Sequence, residues 1–250
     1  MNPNEAPNQT IETMLNHQSI RKFKDIPLTE QEVDAIISSA QMASSSSNLQ
    51  AYSIVGVTDP GLKQELSVLA GNQQYVASCP LFLVFCADLF RMQQAIAKHE
   101  LQMEHSTEHF LIATLDAALA AQNAAVAAES QGLGIVYIGG IRNNPRGVAD
   151  LLRLPKLVYP VFGMCIGHPD QDPGRKPRLG QEGLFHRDVY STEQVVQGIE
   201  EYDQRLREYM LERTDGKVDT TWSARLAEKY YEPSRTHMKQ FLEEQGFKLD

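Results

Sequence analysis

The stretch DAALAAQNAAVAAESQGLGIVYIGGIRNN, Asp116 to Asn144, decides the fold. Its first half continues a run that reads as one long helix over 108–131, apolar on nearly every side and closed by Gly132. Such a helix belongs inside a domain, and its many Ala residues let neighbouring elements approach closely. Directly after it, Gly134-Ile-Val-Tyr-Ile-Gly-Gly140 is continuous apolar sequence of strand length, the pattern of a strand covered on both faces. The stretch closes on Asn144-Pro145, a capping side chain followed by proline at the first helical position, and a helix follows through Leu152. A buried helix feeding a doubly covered strand calls for a three-layer α/β or α+β sandwich.

Outward from this centre the same grammar repeats. Leu81-Phe-Leu-Val-Phe-Cys-Ala87 and Pro160-Val-Phe-Gly-Met-Cys-Ile-Gly167 are two more continuous apolar strands, and Tyr52 to Thr58 is a fourth. Thr29 and Glu32 form a capping box ahead of Val33, Ile36, Ile37 and Ala40 at helical spacing. A short helix runs from Thr10 to about His17, and Asp59-Pro60 opens another. Between them Ala43-Ser-Ser-Ser-Ser-Asn48 is a polar loop of small residues. From about 192 the period is helical again, through Val195, Ile199, Tyr202, Leu206 and Tyr209, with a second helical stretch around Leu226 to Leu242. No repeat or linker divides the chain. The expectation is one domain over 1–250, with a core of about 10–190 and a helical extension of about 191–250 wrapping something.

Composition narrows the function classes. The 250 residues are 42% hydrophobic and 22% charged, those of an ordinary globular chain, with a formal net charge of −9. That balance repels phosphate backbones and argues against nucleic acid and anionic membranes as partners. Three cysteines, Cys79, Cys86 and Cys165, form no CxxC pair and suit a reducing cytosol. The leader MNPNEAPNQT has neither a basic start nor an apolar stretch, so it is not read as a signal peptide. Thr114, Asp116, Gln122 and Asn123 interrupt the Ala-rich run 110–128, which is not read as a membrane span. The expected location is cytoplasmic.

GxSxG, HExxH, GxxxxGK[ST] and GxGxxG are all absent, and no His/Cys cluster has metal spacing. What remains is a set of polar loops, as expected where a bound cofactor supplies the chemistry. In His17-Gln-Ser-Ile-Arg21 the residues His17, Ser19 and Arg21 alternate, so extended backbone would aim all three at one anion. In Lys176-Pro-Arg178 a proline holds the chain extended between two cations. Taken alone, each is more simply a solvated basic turn; two of them in an acidic chain favour a phosphate site. Gly139-Gly140 lets main-chain N–H groups come close to a flat ligand, though it also suits a plain strand-to-helix turn. In Gly71-Asn-Gln73, the side-chain amide can donate to and accept from a ring edge of alternating C=O and N–H groups.

Seven motifs in order resemble one family: HQSIRKF at 17–23, ASSSSNLQAYSIVGVTD at 43–59, GNQQYV at 71–76, the 116–144 stretch, FGMCIGHP at 162–169, KPRL at 176–179 and TTWS at 220–223. The chain is similar, over essentially its whole length after about Thr10, to the oxygen-insensitive FMN-dependent NADPH nitroreductase and flavin reductase family of the NfsA/Frp type. The resemblance implies an α+β fold, a three-layer sandwich whose mainly antiparallel sheet is flanked by helices, with a C-terminal helical extension. It implies non-covalent FMN, NADPH as co-substrate, and a homodimer with its flavin sites at the subunit interface. His17, Ser19, Lys176 and Arg178 would bind the FMN phosphate, and Arg21 would lie beside the pyrimidine end of the ring. Gln73 would meet the ring edge, the backbone of Tyr137, Ile138, Gly139 and Gly140 would reach N5, and Ser45 would come from the other subunit.

Ser47, Glu108 and Arg235 match positions near the substrate slot, and Arg213 and Lys217 match those facing the 2′-phosphate of NADPH. No side chain need be catalytic, because the chemistry is at N5. Arg21 would stabilise the negative charge that reduction brings to the ring. The implied reaction is ping-pong reduction of nitroaromatics, quinones, flavins or related acceptors by NADPH. A dedicated flavin reductase serving a partner enzyme and a non-catalytic flavin binder are the alternatives. Gln18 and Lys217 stand where the family commonly has Arg, and His168 has no assigned role.

Overall fold

The computed structural model describes residues 6–249. The first five residues of the polar leader, and with them that part of the signal-peptide reading, lie outside the described residues. The chain divides into two compact units, one made of Met1–Pro173 with His237–Asp250 and one of Gly174–Thr236.

The first unit is built on four strands, β1 (Tyr52–Val57), β2 (Leu81–Asp88), β3 (Gly134–Ile138) and β4 (Val158–Gly167), in the order β1-β2-β4-β3. Every pairing in the sheet is antiparallel, which makes the fold α+β. The long α6 (Thr107–Ser130) carries the chain from β2 to β3. Along β2 the side chains alternate between two cores. Leu81, Leu83 and Phe85 pack with Ile36 and Ala40 of α2 (Glu30–Gln41) and with Ala120, Ala121, Ala124 and Ala128 of α6. Phe82, Val84 and Cys86 pack instead with Leu66 of α3 (Pro60–Leu69), Val76 of α4 (Gln74–Ser78) and Val148 of α7 (Pro145–Leu151). All eight residues of β2 are buried, as the unbroken apolar run requires. The three layers follow from this two-sided burial.

Local signals place most boundaries. Thr29 and Glu32 make the reciprocal capping box at α2, Asp59 caps α3 from in front of Pro60, and Asn144 caps α7 from in front of Pro145. The Thr29 hydrogen bonds hold the Glu32 carboxyl below its ordinary pKa. Gly132 takes φ +76° just after α6. Cys79, Cys86 and Cys165 are buried free thiols.

By length and composition α6 could cross a membrane, yet eight of its residues, Asp116 among them, are buried inside this unit.

One helix was not anticipated, and three expectations need correction. Phe90–Ala97 forms a helix, α5, which has no buried residue and left no core-facing signature. The strand expected to run to Gly140 ends at Ile138, and Gly139–Asn143 turns into a 3₁₀ helix. β4 begins at Val158, before Pro160, because β3 pairs only with residues 163–167 of it. Beyond that pairing β4 has an open edge, where proline is tolerated, and the ladder to β2 shifts register between Phe85 and Cys86, beside Pro160.

The C-terminal helical stretch is not continuous either. α10 (Trp222–Tyr230) stops before Pro233, and α11 (Met238–Glu244) belongs to the first unit, where Phe241, Leu242 and Phe247 join the core around Tyr159 and Ala117.

The second unit is helical: α8 (Gln181–Leu184), α9 (Thr192–Arg213) and α10. α8 meets α9 at a pair of glycines, where a Cβ on Gly183 would stand 2.9 Å from the Gly198 Cα. α9 holds α10 through Tyr202 and Trp222, edge to face at 5.7 Å, and through Asp203, which accepts from both the main-chain N–H and the hydroxyl of Ser223.

Candidate functional site

Two segments of the first unit flank β3, and a third, the serine loop, is held by α6. The 17–24 segment runs extended past the start of β3. Ser19 bridges Ile135, the Ile20 N–H donates to the Ile135 carbonyl at 2.9 Å, and Lys24 bonds the carbonyl of His168. Ile20 is buried against Gly134, where a Cβ would come within 2.6 Å of its side chain, so glycine there lets the segment dock. With Ile20 facing inward, Ser19 and Arg21 face outward, as the alternation implies, and Arg21 is exposed. His17 is fixed differently: its Nδ1 pairs with the Glu129 carboxylate at 2.6 Å, near the end of α6. His168, unassigned from sequence, lies 3.9 Å from Glu32 of the α2 capping box.

At the other end of β3, Gly140 is buried with no space for a side chain. A Cβ there would run into the carbonyl oxygen of Ala70 and the amide of Gln73. Gln73 Nε2 donates to that carbonyl at 3.0 Å and its Oε1 accepts from the Tyr75 hydroxyl at 2.8 Å. Gln73 and the Gly139-Gly140 main chain are therefore neighbours. Ile138 is buried, while the Tyr137 hydroxyl donates to Gln122 Oε1 at 3.3 Å and burial raises its pKa. From Ile135 to Gly139 is four residues, about 13 Å of strand. Hydroxyl and guanidinium donors at one end and a bare main chain with an amide at the other suit an elongated ligand, anionic at one end and flat at the other. A phosphate-bearing flavin has that shape, and the residues present fit it.

The serine loop is the third segment, and here the sequence reading missed the key group. Asp116 is 1% exposed on α6. Its Oδ1 accepts from the Ser46 N–H and its Oδ2 from the Ala51 N–H, each at 3.0 Å. Between these points Ser47, Asn48 and Gln50 adopt φ of 48°, 57° and 52°. Left-handed backbone costs a non-glycine residue roughly 1–2 kcal/mol, less for Asn. Two bonds to a buried carboxylate, worth about 1.5–3 kcal/mol each, offset that cost. Ser45 Oγ accepts from the Gln50 N–H at 3.3 Å, which leaves its own proton free to be donated; Ser47 is exposed. Glu108 is exposed in the first turn of α6, so one helix carries Glu108, Asp116 and Glu129. The signal for Asp116 lay in the sequence as a carboxylate flanked by Ala113, Ala117 and Ala120 on the buried stripe.

The other candidates belong to the second unit. Lys176 and Arg178 are exposed on a segment tied to α9, where the Tyr202 hydroxyl donates to the Pro177 carbonyl at 2.9 Å and Arg205 donates to that of Arg178 at 3.2 Å. Arg213 ends α9 with its guanidinium 5.8 Å over the Tyr209 ring. Lys217 is exposed in the following turn, its N–H bonded to the Thr214 carbonyl at 3.1 Å. The acidic neighbour Asp219 is held by Arg207 through two bonds, of 2.5 and 2.7 Å. Arg235 takes φ 54°.

Comparison with known proteins adds the following. The family model described as "Nitroreductase family" matches residues 14–168, and "Nitroreductase family, C-terminal domain" matches 176–250. An "FMN reductase (NADPH)" of Bacillus subtilis is 47% identical over 245 residues, 96% of this chain and 98% of that protein. An "NADPH-flavin oxidoreductase" of Vibrio harveyi is 45% identical over 239 residues, 96% and 98% of the two chains. The solved structure of the NfrA1 nitroreductase from B. subtilis superposes with a TM-score of 0.92 at 47% identity, covering 96% of this chain and 99% of that one.

Proposed function

The chain belongs to the nitroreductase family, and from that premise we propose that it is an FMN-dependent oxidoreductase that takes electrons from NADPH and passes them to nitroaromatics, quinones, flavins or related acceptors by a ping-pong mechanism. The observation that carries this reading is the pairing, along β3, of the Ser19 and Arg21 donors at one end with the side-chain-free Gly139-Gly140 turn and Gln73 at the other.

Bound FMN supplies the acceptance and release of electrons at its ring; the chain binds, orients and polarises it. Ser19 and His17 would hold the phosphate by charge-assisted hydrogen bonds, and Lys176 and Arg178 are the further cations assigned to it. Because His17 Nδ1 faces Glu129, Nε2 is the ring nitrogen left for the phosphate. Arg21 would lie at the pyrimidine end, where its charge would stabilise added electron density. Gly139 and Gly140, following the backbone of Tyr137 and Ile138, would bring main-chain N–H groups to the ring without a Cβ in the way, and Gln73 would meet the ring edge. Ser47, Glu108 and Arg235 border the slot that NADPH and the acceptor enter in turn, and Arg213 and Lys217 face the nicotinamide cofactor's 2′-phosphate.

The active form in this reading is a homodimer, in which Ser45 of the partner subunit completes each flavin site. Support comes from α6, where Leu111, Leu115 and Leu119 recur every four residues and stand 47%, 60% and 47% exposed within one chain. The enzyme is read as soluble and cytoplasmic, without nucleic-acid or membrane partners, in keeping with its net charge of −9 and with the burial of one face of α6 inside the first unit.

The test is direct. The purified protein is expected to be yellow, to release about one FMN per chain on denaturation, and to consume NADPH only when an acceptor is present. Replacing both Lys176 and Arg178 with Ala removes two contacts of about 1.5–3 kcal/mol each, and flavin binding should weaken at least a hundredfold. A colourless protein that gains no flavin on incubation with FMN would defeat the proposal. A yellow protein with no acceptor-dependent turnover would make it a flavin binder instead.

A further inference from the structure

We infer that Asp116 is a positioning residue for the serine loop, acting on the ligand site only through the backbone that it grips. The inference rests on the reading above, which places that loop at the flavin site. One buried carboxylate accepts the main-chain N–H groups of Ser46 and Ala51, residues 70 and 65 positions earlier in the chain. The two bonds pinch the loop at both ends. The residues between them take left-handed conformations at 47, 48 and 50, and the two bonds help to offset that strain. The same pinch sets Ser45 Oγ to accept from the Gln50 N–H at 3.3 Å, an arrangement that leaves the hydroxyl proton available to a ligand.

The carboxylate is specifically suited to this task. Both partners are donors, and an acid accepts through each of its oxygens, whereas an amide would set an NH₂ against one of the N–H groups. The group sits on α6, whose Ala113, Ala117 and Ala120 are fully buried in the same unit, so the clamp is anchored to a helix packed into the core. A helix with no other charged group among its buried residues retains this one where the loop needs it.

The experiment compares Asp116→Asn with Ser45→Ala and the wild type as holoenzymes. FMN dissociation is measured by the fluorescence of released flavin on dilution, amide exchange by mass spectrometry, and global stability by Tm. Asp116→Asn should speed exchange at Ser46 and Ala51 and weaken flavin binding on the order of ten- to a hundredfold, the factor carried by one charge-assisted bond. Ser45→Ala should weaken flavin while leaving exchange at Ala51 unchanged.

If Ser45→Ala weakens flavin and Asp116→Asn leaves it within twofold, Asp116 is merely structural and the inference falls alone. If both variants leave flavin affinity unchanged, the serine loop is no part of the site and the inference falls with that assignment. Should Asp116→Asn fail to fold, wild-type exchange decides: slow exchange at both amides supports the clamp, and free-loop rates at Ser46 and Ala51 overturn it.

Discussion

Replacing Gly140 with Ala is the sharpest probe of how this site is built. The added Cβ would overlap the Ala70 carbonyl oxygen, which is main chain and cannot swing away, as well as the Gln73 amide. That carbonyl also accepts from Gln73 Nε2 at 3.0 Å and from Asn143 Nδ2 at 3.3 Å, so displacing it strains two hydrogen bonds as well as the packing. Overpacking of this kind costs about 1–3 kcal/mol, and weakening the two bonds adds roughly 0.5–1 kcal/mol each. A total of about 2–5 kcal/mol in a chain of this size lowers Tm on the order of 5–20 °C. Gln73 must leave the Gly140 main chain, so flavin affinity should fall about tenfold, the value of one neutral hydrogen bond at the upper end of its range.

The control is Gly132→Ala. Gly132 has φ +76° and nothing within 4 Å of where its Cβ would lie. It should lose about 1–2 kcal/mol to backbone strain alone and keep its flavin affinity. Thermal denaturation and flavin titration of the two variants decide the matter. If Gly140→Ala binds flavin as tightly as Gly132→Ala, the bare turn beside Gln73 is not the ring's seat.

Three further outcomes are expected. Arg213→Ala with Lys217→Ala should cut kcat/KM for NADPH about ten- to a hundredfold and leave that for NADH nearly unchanged; a preserved donor ratio would make this segment a solvated turn. Asp219 is already engaged by Arg207, so Asp215 is the acid left to weaken the positive field there. Leu115→Asp puts a charge in the middle of the exposed leucine stripe of α6 and should shift light-scattering mass from dimer towards monomer; an unchanged dimer would move the interface elsewhere. Burial pushes the Cys86 thiol up to about 12, so the free, buried Cys79, Cys86 and Cys165 should resist a thiol reagent at neutral pH and all react in denaturant; rapid labelling of the native protein would contradict their burial.

The sequence by itself determined whatever depends on near neighbours along the chain. The continuous apolar runs at 81–87 and 160–167 identified doubly covered strands, Thr29 with Glu32 identified a helix start, and the alternation at 17–21 put Ser19 and Arg21 on one side of Ile20. These are consequences of backbone period and capping chemistry, which act over a few residues.

Only the tertiary structure decided the rest. The residue pattern left α/β and α+β open and only the family resemblance implied α+β. The antiparallel ladders decide it, because strand direction depends on the path between strands, and folding returned α11 to the first unit after the break near Pro233. It also joined His17 to Glu129 and the serine loop to Asp116, across 112 and 70 residues. No local pattern distinguishes a carboxylate that interrupts an Ala-rich helix from one that organises a loop. The distinction appears only when folding removes that carboxylate from water and leaves two main-chain N–H groups as its partners, and a buried charge cannot persist without such partners.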